Sequence, residues 1–406
     1  MEAISSPNST PPSQRLWLRR VLTTLAVLLT LIVFPIVVGE LFPKLPAIGI
    51  FGTVLASIFA LHIALAACLA ALIALLALFA GGRRWAQVTL VFASLALLGA
   101  LIPLGALVRA AHRYGASICW THALRPLQRA ERRAPSQSPL FATIDGGPLY
   151  LDVYLPSTPS AAKSAPVLML HGGGYVQGKR SDFTHTWDAW LADRGYTVFD
   201  ADYRLAPPVT WNVAAQDAAC AAAWIQSHTA EYNVDPDRLL VSGQSAGAGL
   251  ALQVAYGLGD GTVTSSCGGT VPQPKAVFAI YPPEDFELGW NLNTALPGMS
   301  ARSVENVYIG GSPQQYPDRY RAVSAVYHAR PGLPPTLIAS GDHDHLVPYG
   351  GHLEMIDALN RVGVPNVLVT IPYAEHGYDI AWNGVGTQIT RHAAADFLER
   401  YLPAHN

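Results

Sequence analysis

Between Val21 and Val108 the chain carries four formally charged residues, Glu40, Lys44, Arg83 and Arg84. A backbone inside hydrocarbon has no water to satisfy its N–H and C=O groups, so only helices and closed barrels cross it, and long apolar runs without alternation select the helix. Three such runs are present: Val21 to Phe42, preceded by Arg15, Arg19 and Arg20, then Ile48 to Ala80, then Trp85 to Val108. At about 1.5 Å per residue even the first spans roughly 30 Å, the thickness of a bilayer core. It is too long for the h-region of a signal peptide, and two more runs follow it. Residues 15–108 are therefore expected to form a multi-pass membrane region of about three transmembrane helices, behind a disordered tail rich in Ser, Pro and Asn at residues 1–14. Pro35 and Pro103 are tolerated in lipid-embedded helices, and Trp17, Trp85 and Trp120 fall near the expected interfaces.

With the N-terminus inside, the cytoplasmic face gathers Arg15, Arg19, Arg20, Arg83 and Arg84, against Lys44, Arg109, Arg113 and Arg125 opposite. That balance favours an extracytoplasmic C-terminal portion. His62, midway along the second run, suits an interhelical hydrogen bond or, less simply, a proton path. Residues 109–137 add Arg129, Arg132 and Arg133 among Ala, Leu and Trp and read as a basic amphipathic linker, either a helix lying on anionic headgroups or an ordinary solvated linker with a charged face. A net charge of −2 argues against nucleic acid as a partner. The four cysteines lack C-x-x-C spacing, which excludes a zinc ribbon or a thioredoxin motif. Cys68 lies in the second apolar run; Cys119, Cys220 and Cys267 are left for a disulfide that spacing alone does not assign, and Cys220, set among alanines, reads as a small buried residue.

From Ser138 the pattern changes. Leu140 to Ile144 and Leu149 to Leu155, joined by Asp145-Gly146-Gly147, read as a hairpin, and beyond it short β-branched runs alternate with helical stretches to the C-terminus. Such alternation over residues 138–406 argues for one α/β domain with a mostly parallel sheet. Residues 282–335 break the rhythm and form a candidate cap insertion.

Three stretches carry chemistry. Val241-Ser242-Gly243-Gln244-Ser245-Ala246-Gly247 places a serine between glycines where a strand turns into a helix, the geometry of a nucleophile elbow. Alone it is weak, since G-x-S-x-G arises by chance about 0.2 times in such a chain. His171-Gly172-Gly173-Gly174 follows another strand and leaves backbone N–H groups open to an oxyanion; its chance frequency is about 0.01. Downstream, Asp342 and Asp344 follow one strand and His376 the next, so nucleophile, acid and base come in α/β-hydrolase order.

With Asp202-Tyr203-Arg204-Leu205-Ala206-Pro207 added, residues 140–403 resemble the α/β-hydrolase superfamily, and within it the HGGG-bearing, hormone-sensitive-lipase-like carboxylesterases. The resemblance implies an α/β-hydrolase fold, a mostly parallel central sheet flanked by helices, here preceded by the membrane region. It implies Ser245 as nucleophile, His376 as general base and acid, and oxyanion donors on Gly173, Gly174 and Ala246. The family spacing Gly-x-x-Asp-x-x-Val-Pro selects Asp344 over Asp342 as the acid. It implies a serine carboxylesterase with no cofactor and no metal, acting on small-molecule or lipophilic esters beside a lipid bilayer. The Gly-Gln-Ser-Ala-Gly elbow is also similar to that of the membrane-anchored isoprenylcysteine methylesterases. Soluble relatives begin with a helical cap segment where this chain has apolar runs. Rival readings are a metal cluster at Asp342-His343-Asp344-His345, a non-catalytic membrane-tethered binding module, and a peptidase or acyltransferase using the same triad. Trp187, Trp190, Trp211, Trp290 and Tyr281 are candidate pocket walls, core packing being the plainer account.

Overall fold

The computed structural model describes residues 12–128, 133–158, 160–296 and 298–405. Its first three helices, α1 (Pro12–Leu41), α2 (Ile48–Phe79) and α3 (Arg84–Arg113), are each long and apolar enough to cross a membrane. Their packing puts small residues inside and leucines outside. Ala64, Ala67, Ala70 and Ala74 of α2 and Ala93, Ala96 and Ala100 of α3 are buried, while Leu65, Leu69, Leu72, Leu95 and Leu98 are exposed. Lipid tails are as apolar as leucine, so helices in a bilayer gain from close backbone approach rather than from burying leucine. At Gly52 a Cβ would lie 2.5 Å from the carbonyl carbon of Gly39, so α1 and α2 touch backbone to backbone there. Arg19 donates to the carbonyl of Gly81 (3.3 Å), which sets the start of α1 beside the α2–α3 turn. The α1–α2 turn and the end of α3 lie at the other end of the bundle, where the rest of the chain docks.

Several boundaries differ from expectation. Residues 12–14 of the expected tail begin α1, and residues 1–11 lie outside the described residues. The third apolar helix continues past Val108 to Arg113 and ends at Gly115 in a left-handed turn (φ 69°). The stretch 109–137 is accordingly not one amphipathic helix: its first five residues finish α3 and a single turn forms α4 (Trp120–Ala123). Three of its polar groups are held by neighbours instead. Cys119 N–H donates to Gln388 Oε1 (2.7 Å), Asn383 Nδ2 to the Gln128 carbonyl (2.9 Å) and Arg133 to the Leu155 carbonyl (2.5 Å). Arg129 and Arg132 lie outside the described residues. His62 contacts the Leu124 carbonyl (3.2 Å), so its partner is this connecting segment rather than another apolar helix.

The elements that follow are β1 (Leu140–Ile144), β2 (Gly147–Tyr154), β3 (Pro166–Leu170), α5 (His185–Ala192), β4 (Thr197–Ala201), α6 (Val213–Ser227), α7 (Thr229–Tyr232), β5 (Leu240–Gln244), α8 (Ala246–Gly257) and β6 (Ala276–Ile280). Within residues 282–335 lie α9 (Phe286–Leu292), the small pair β7 (Ala295–Leu296) and β8 (Met299–Ser300), α10 (Ala301–Tyr308) and α11 (Pro317–Val323). The chain then returns through β9 (Thr336–Gly341), α12 (Tyr349–Arg361), β10 (Asn366–Ile371) and α13 (Val385–Tyr401). The main sheet has the order β1-β2-β4-β3-β5-β6-β9-β10, with β1 and β2 antiparallel to their neighbours and the rest parallel.

Strand periodicity divides the core. Val167 and Met169 pack with Trp187 of α5 and Phe397 of α13 on one face, and Leu168 and Leu170 with Ala218 of α6 and Leu250 of α8 on the other. The end of α3 joins the first face through Leu107, Ala110 and Ala111. Tyr114 just beyond it donates to the Leu368 carbonyl and accepts from the Thr370 N–H, both at 2.9 Å, which fastens the apolar helices to the edge strand β10. Cys220 is buried, as its alanine-rich setting suggests, but it is bonded to Cys267, so the reading of it as a plain core residue is corrected.

Candidate active site

Ser245 sits between the end of β5 and the first residue of α8 with φ 52° and ψ −121°, a backbone conformation that non-glycine residues adopt only when their surroundings impose it. The flanking glycines show why the sequence is so restricted. A Cβ on Gly247 would lie 2.1 Å from the Leu170 carbonyl oxygen, and one on Gly243 2.7 Å from the same atom. Leu170 is paired with Gly243 across the parallel β3–β5 ladder, so the loop that begins at His171 emerges beside the serine.

The loops after β9 and β10 leave the same sheet edge, the edge at which open α/β sheets bind ligands. They bring His376 Nε2 to 2.9 Å from Ser245 Oγ and His376 Nδ1 to 2.7 Å from Asp344 Oδ2. Asp344 Oδ1 accepts the N–H groups of Leu346 (2.8 Å) and Val347 (2.7 Å), which leaves Oδ2 aimed at the imidazole. A carboxylate on Nδ1 selects the tautomer in which Nδ1 carries the proton and Nε2 accepts from the serine hydroxyl. Burial opposes charging of His376, but the charge and hydrogen bond of Asp344, helped by Glu375 and Asp379, outweigh it and raise the imidazole pKa above its ordinary value. Asp342 is turned elsewhere, accepting from Tyr373 N–H and bonded to His343 Nδ1. Within the Asp-His-Asp-His run, Asp342 and His343 are thus paired with each other, Asp344 with His376 and His345 with Glu375.

Gly173 (φ 120°) and Gly174 (φ 63°) hold conformations that turn the loop under Ser245, and a Cβ on Gly173 would fall 2.0 Å from the Gln177 carbonyl oxygen. Among the described residues, the N–H groups of Gly173 and Gly174 have no protein acceptor, and that of Ala246, first in α8, has no intrahelical one. Behind this loop stands the Asp202–Pro207 stretch. Tyr203 donates to the His171 carbonyl (2.8 Å) and stacks on its ring, Ala206 N–H donates to the Tyr175 carbonyl (2.8 Å), and Arg204 grips Asp217 of α6 through Nε (2.8 Å) and Nη2 (2.9 Å). Asp202 accepts from the Arg180 N–H (3.0 Å) and guanidinium (2.6 Å).

Sequence reasoning missed two carboxylates. Asp379 is buried and accepts from Trp187 Nε1 (2.7 Å), Gln244 Nε2 (2.5 Å) and Tyr281 OH (2.6 Å), and the Tyr281 ring lies 4.5 Å from that of His376. Glu375, also buried, accepts the N–H groups of His345 (2.6 Å) and His376 (2.9 Å). No spacing rule singles these residues out; the one signal was their position within three residues of His376.

Two cavities meet Ser245. The larger, about 470 Å³, is lined by the Gly172–Gly174 loop, Tyr281, His376, Trp382 and, unexpectedly, Val54, Ser57 and Ile58 of α2. The smaller, about 50 Å³, lies between Glu284, Met299, Val304 and Pro348. Of the aromatic residues considered as pocket walls, Tyr281 lines the larger cavity; Trp187 and Trp190 belong to the core, and Trp211 and Trp290 pack against it.

The strand order, the elbow and the loops carrying Asp344 and His376 define an α/β-hydrolase fold. Esterase 2 of Thermogutta terrifontis in its apo form superposes with a TM-score of 0.55 at 24% identity, covering 68% of this chain and 98% of that one. The BD-FAE family matches residues 151–359, just over half of the chain, and the chain belongs to that family. Among curated relatives, the probable carboxylic ester hydrolase LipM of Mycobacterium tuberculosis is 27% identical over 57% of this chain and 53% of its own length. Lipase 2 of a Moraxella species is 28% identical over 63% of this chain and 65% of its own. The chain thus spans about half to two thirds of the length of these relatives.

Proposed function

We propose that the protein is a membrane-anchored serine carboxylesterase. The observation that carries this reading is the unbroken line from Asp344 through His376 to Ser245, at 2.7 and 2.9 Å, with open backbone N–H groups beside the serine. Ser245 Oγ attacks the ester carbonyl carbon as its proton passes to His376 Nε2. The oxyanion is held by the N–H groups of Gly173, Gly174 and Ala246, each worth about 3 kcal/mol of barrier. Collapse breaks the bond to the alcohol oxygen, which leaves with the proton from His376. Water then enters, gives its proton to the same nitrogen and attacks the acyl-enzyme, releasing the acid and restoring Ser245. Asp344 holds the tautomer and stabilises the imidazolium. The names of LipM and Lipase 2 support the substrate class, a carboxylic ester.

In this reading residues 138–406 are the catalytic domain, 282–335 its cap, and α1 to α3 the membrane anchor, with small or lipophilic esters as substrates. An extracytoplasmic position for the catalytic domain is supported by the Cys220–Cys267 disulfide, a bond that persists in oxidising compartments, and by the arginines at the far end of the helix bundle. The test is hydrolysis of p-nitrophenyl esters by the full chain in detergent, beside Ser245→Ala. Turnover that falls by on the order of 10⁴-fold or more in the variant is the expected result. Turnover that survives the substitution rules the mechanism out.

A further inference from the structure

The second apolar helix does more than run beside the catalytic edge. At 32 residues α2 extends to about 48 Å, roughly 18 Å more than a bilayer core requires. The excess corresponds to its first three turns, and the helical path is interrupted at Phe59 (φ −120°, ψ 24°), where they end. These turns carry Thr53, Val54, Ser57 and Ile58.

Thr53 Oγ1 lies 2.9 Å from Glu375 Oε2, as well as within reach of its own helix carbonyls at Gly49 and Ile50. A hydroxyl has one proton, and a carboxylate is the stronger acceptor, so the proton goes to Glu375. Ser57 Oγ donates to the Thr53 carbonyl (2.7 Å) and accepts the Glu375 N–H (2.6 Å). From the α1–α2 turn the Pro43 carbonyl meets His345 Nε2 at 3.0 Å, while His345 Nδ1 meets Glu375. Glu375 is thereby fastened to α2 on one side and holds the His376 N–H on the other. Independently of these bonds, Val54, Ser57 and Ile58 line the cavity that contains Ser245 and His376, and the exposed side chains of Phe183 and Ile380 line the same cavity.

We propose that the segment Thr53–Ile58 of α2 is a working wall of the ester site, positioning the His376 loop through Glu375 and setting with Val54 and Ile58 the acyl chain length that the pocket accepts. The proposal rests on the serine esterase reading above. It makes the substrate an ester with an extended apolar chain, laid along a helix that continues into the bilayer. Thr53 and Ser57 are positioning residues, because they act through Glu375, whereas Ile58 is a specificity residue.

The test uses the full chain in lipid nanodiscs and p-nitrophenyl esters from acetate to decanoate. Ile58→Trp is expected to lower the decanoate-to-acetate ratio of kcat/KM by at least about tenfold, since a filled wall displaces several chain methylenes. Ile58→Ala, which removes bulk and is the milder change for folding, is expected to move the preferred length upward. Thr53→Val combined with Ser57→Ala is expected to lower kcat about tenfold at every chain length with KM little changed, and Thr53→Ser alone to retain activity. An unchanged ratio in both Ile58 variants, with Ser245→Ala inactive, overturns the wall while leaving the esterase reading intact. An unchanged kcat in the double variant overturns the positioning role. A folded wild type that neither turns over esters nor labels with a fluorophosphonate overturns the esterase reading and this inference together.

Discussion

Glu375 offers the sharpest quantitative test of how the site is held. Its two oxygens face four donors: the His345 and His376 N–H groups on Oε1, and the Thr53 hydroxyl and His345 Nδ1 on Oε2. Removing the side chain in Glu375→Ala strands two backbone N–H groups beside a catalytic loop and leaves His345 without its counter-charge. Each unsatisfied buried donor costs about 1–3 kcal/mol, and losing the counter-charge of the part-exposed His345 adds less than the about 3–5 kcal/mol of a fully buried pair. These terms overlap, so a loss of about 4 kcal/mol is expected, a fall in thermal midpoint on the order of 10 °C for a domain of this size. Glu375→Gln is the informative companion. Its amide oxygen keeps the two N–H donors, Thr53 can return its proton to its own helix, and a neutral His345 can accept from the amide nitrogen. The cost then shrinks to lost charge assistance, about 1–2 kcal/mol. The hydrogen bond to Glu375 holds the His345 pKa above its ordinary value, with the Pro43 carbonyl adding to it. A raised imidazole pKa means that this stabilisation is fully present below the unfolded value near 6.5 and is lost as pH rises through the folded value. Wild type is therefore expected to lose its margin over Glu375→Gln as the buffer is taken from pH 6 to pH 9. The measurement is the thermal midpoint of the detergent-solubilised full chain across that range, with kcat on a short ester. An alanine variant within about 2 °C and twofold in kcat of wild type would refute the role of Glu375 in holding the His376 loop.

Three further outcomes are expected. Because the His376 pKa is raised, mainly by Asp344 working against burial, and catalysis needs the neutral imidazole, kcat/KM should fall as pH drops through a value above 6.5; a pH–rate profile flat down to pH 5.5 contradicts this. Gly173→Ala places a Cβ 2.0 Å from the Gln177 carbonyl oxygen at φ 120°, so its N–H must move and kcat should fall about 10²–10³-fold while Ser245 still labels with a fluorophosphonate. The Cys220–Cys267 bond spans a sequence separation of 47, for which chain entropy gives a contribution of about 4 kcal/mol. Cys220→Ala with Cys267→Ala should lower the thermal midpoint accordingly, and mass spectrometry of the untreated protein should find one fewer pair of free thiols than after reduction.

What the sequence disclosed follows the range over which each signal acts. Strand–helix alternation is local, so the main-sheet strands and the larger helices between them were legible, whereas α7 and the elements inside residues 282–335 were not. The elbow and the glycine loop were legible because each needs a backbone without Cβ atoms, a demand that leaves a compositional mark at fixed spacing. Family spacing favoured Asp344 over Asp342; the side chains lie apart, Asp344 on His376 and Asp342 on Tyr373 N–H. Contacts between distant segments were invisible. A threonine and a serine in an apolar helix carry no mark of a glutamate more than 300 positions away. Likewise nothing in the alanine-rich setting of Cys220 announces Cys267. For the connector after α3 the arginines left a helix face and a plain linker equally open; the turn at Gly115 and the contacts to polar groups of residues 383–388 are what the residues there could not announce.

The joint between the apolar helices and the sheet bears on how an ester would reach Ser245. A flexible tether would let a catalytic domain tumble over a membrane and sample substrate from any side. Here the joint is made of directed polar contacts: Tyr114 on β10, Pro43 on His345, and Thr53 and Ser57 on Glu375. Each is modest alone, but they lie on three separate segments, so rotation of the domain about the bundle would have to break all of them at once. The cavity at Ser245 is therefore held at a fixed distance from the helix bundle, with one wall supplied by α2 and another by Leu296 and Met299 of the 282–335 segment. Bulk added at Ile58 should thus discriminate by acyl length, whereas bulk added at Met299, which also borders the smaller cavity, should discriminate by the shape of the group on the other side of the carbonyl. Profiling Met299→Trp against a series of alcohol moieties on a fixed acyl chain separates the two. An effect on acyl length alone would mean that both walls face the same half of the ester.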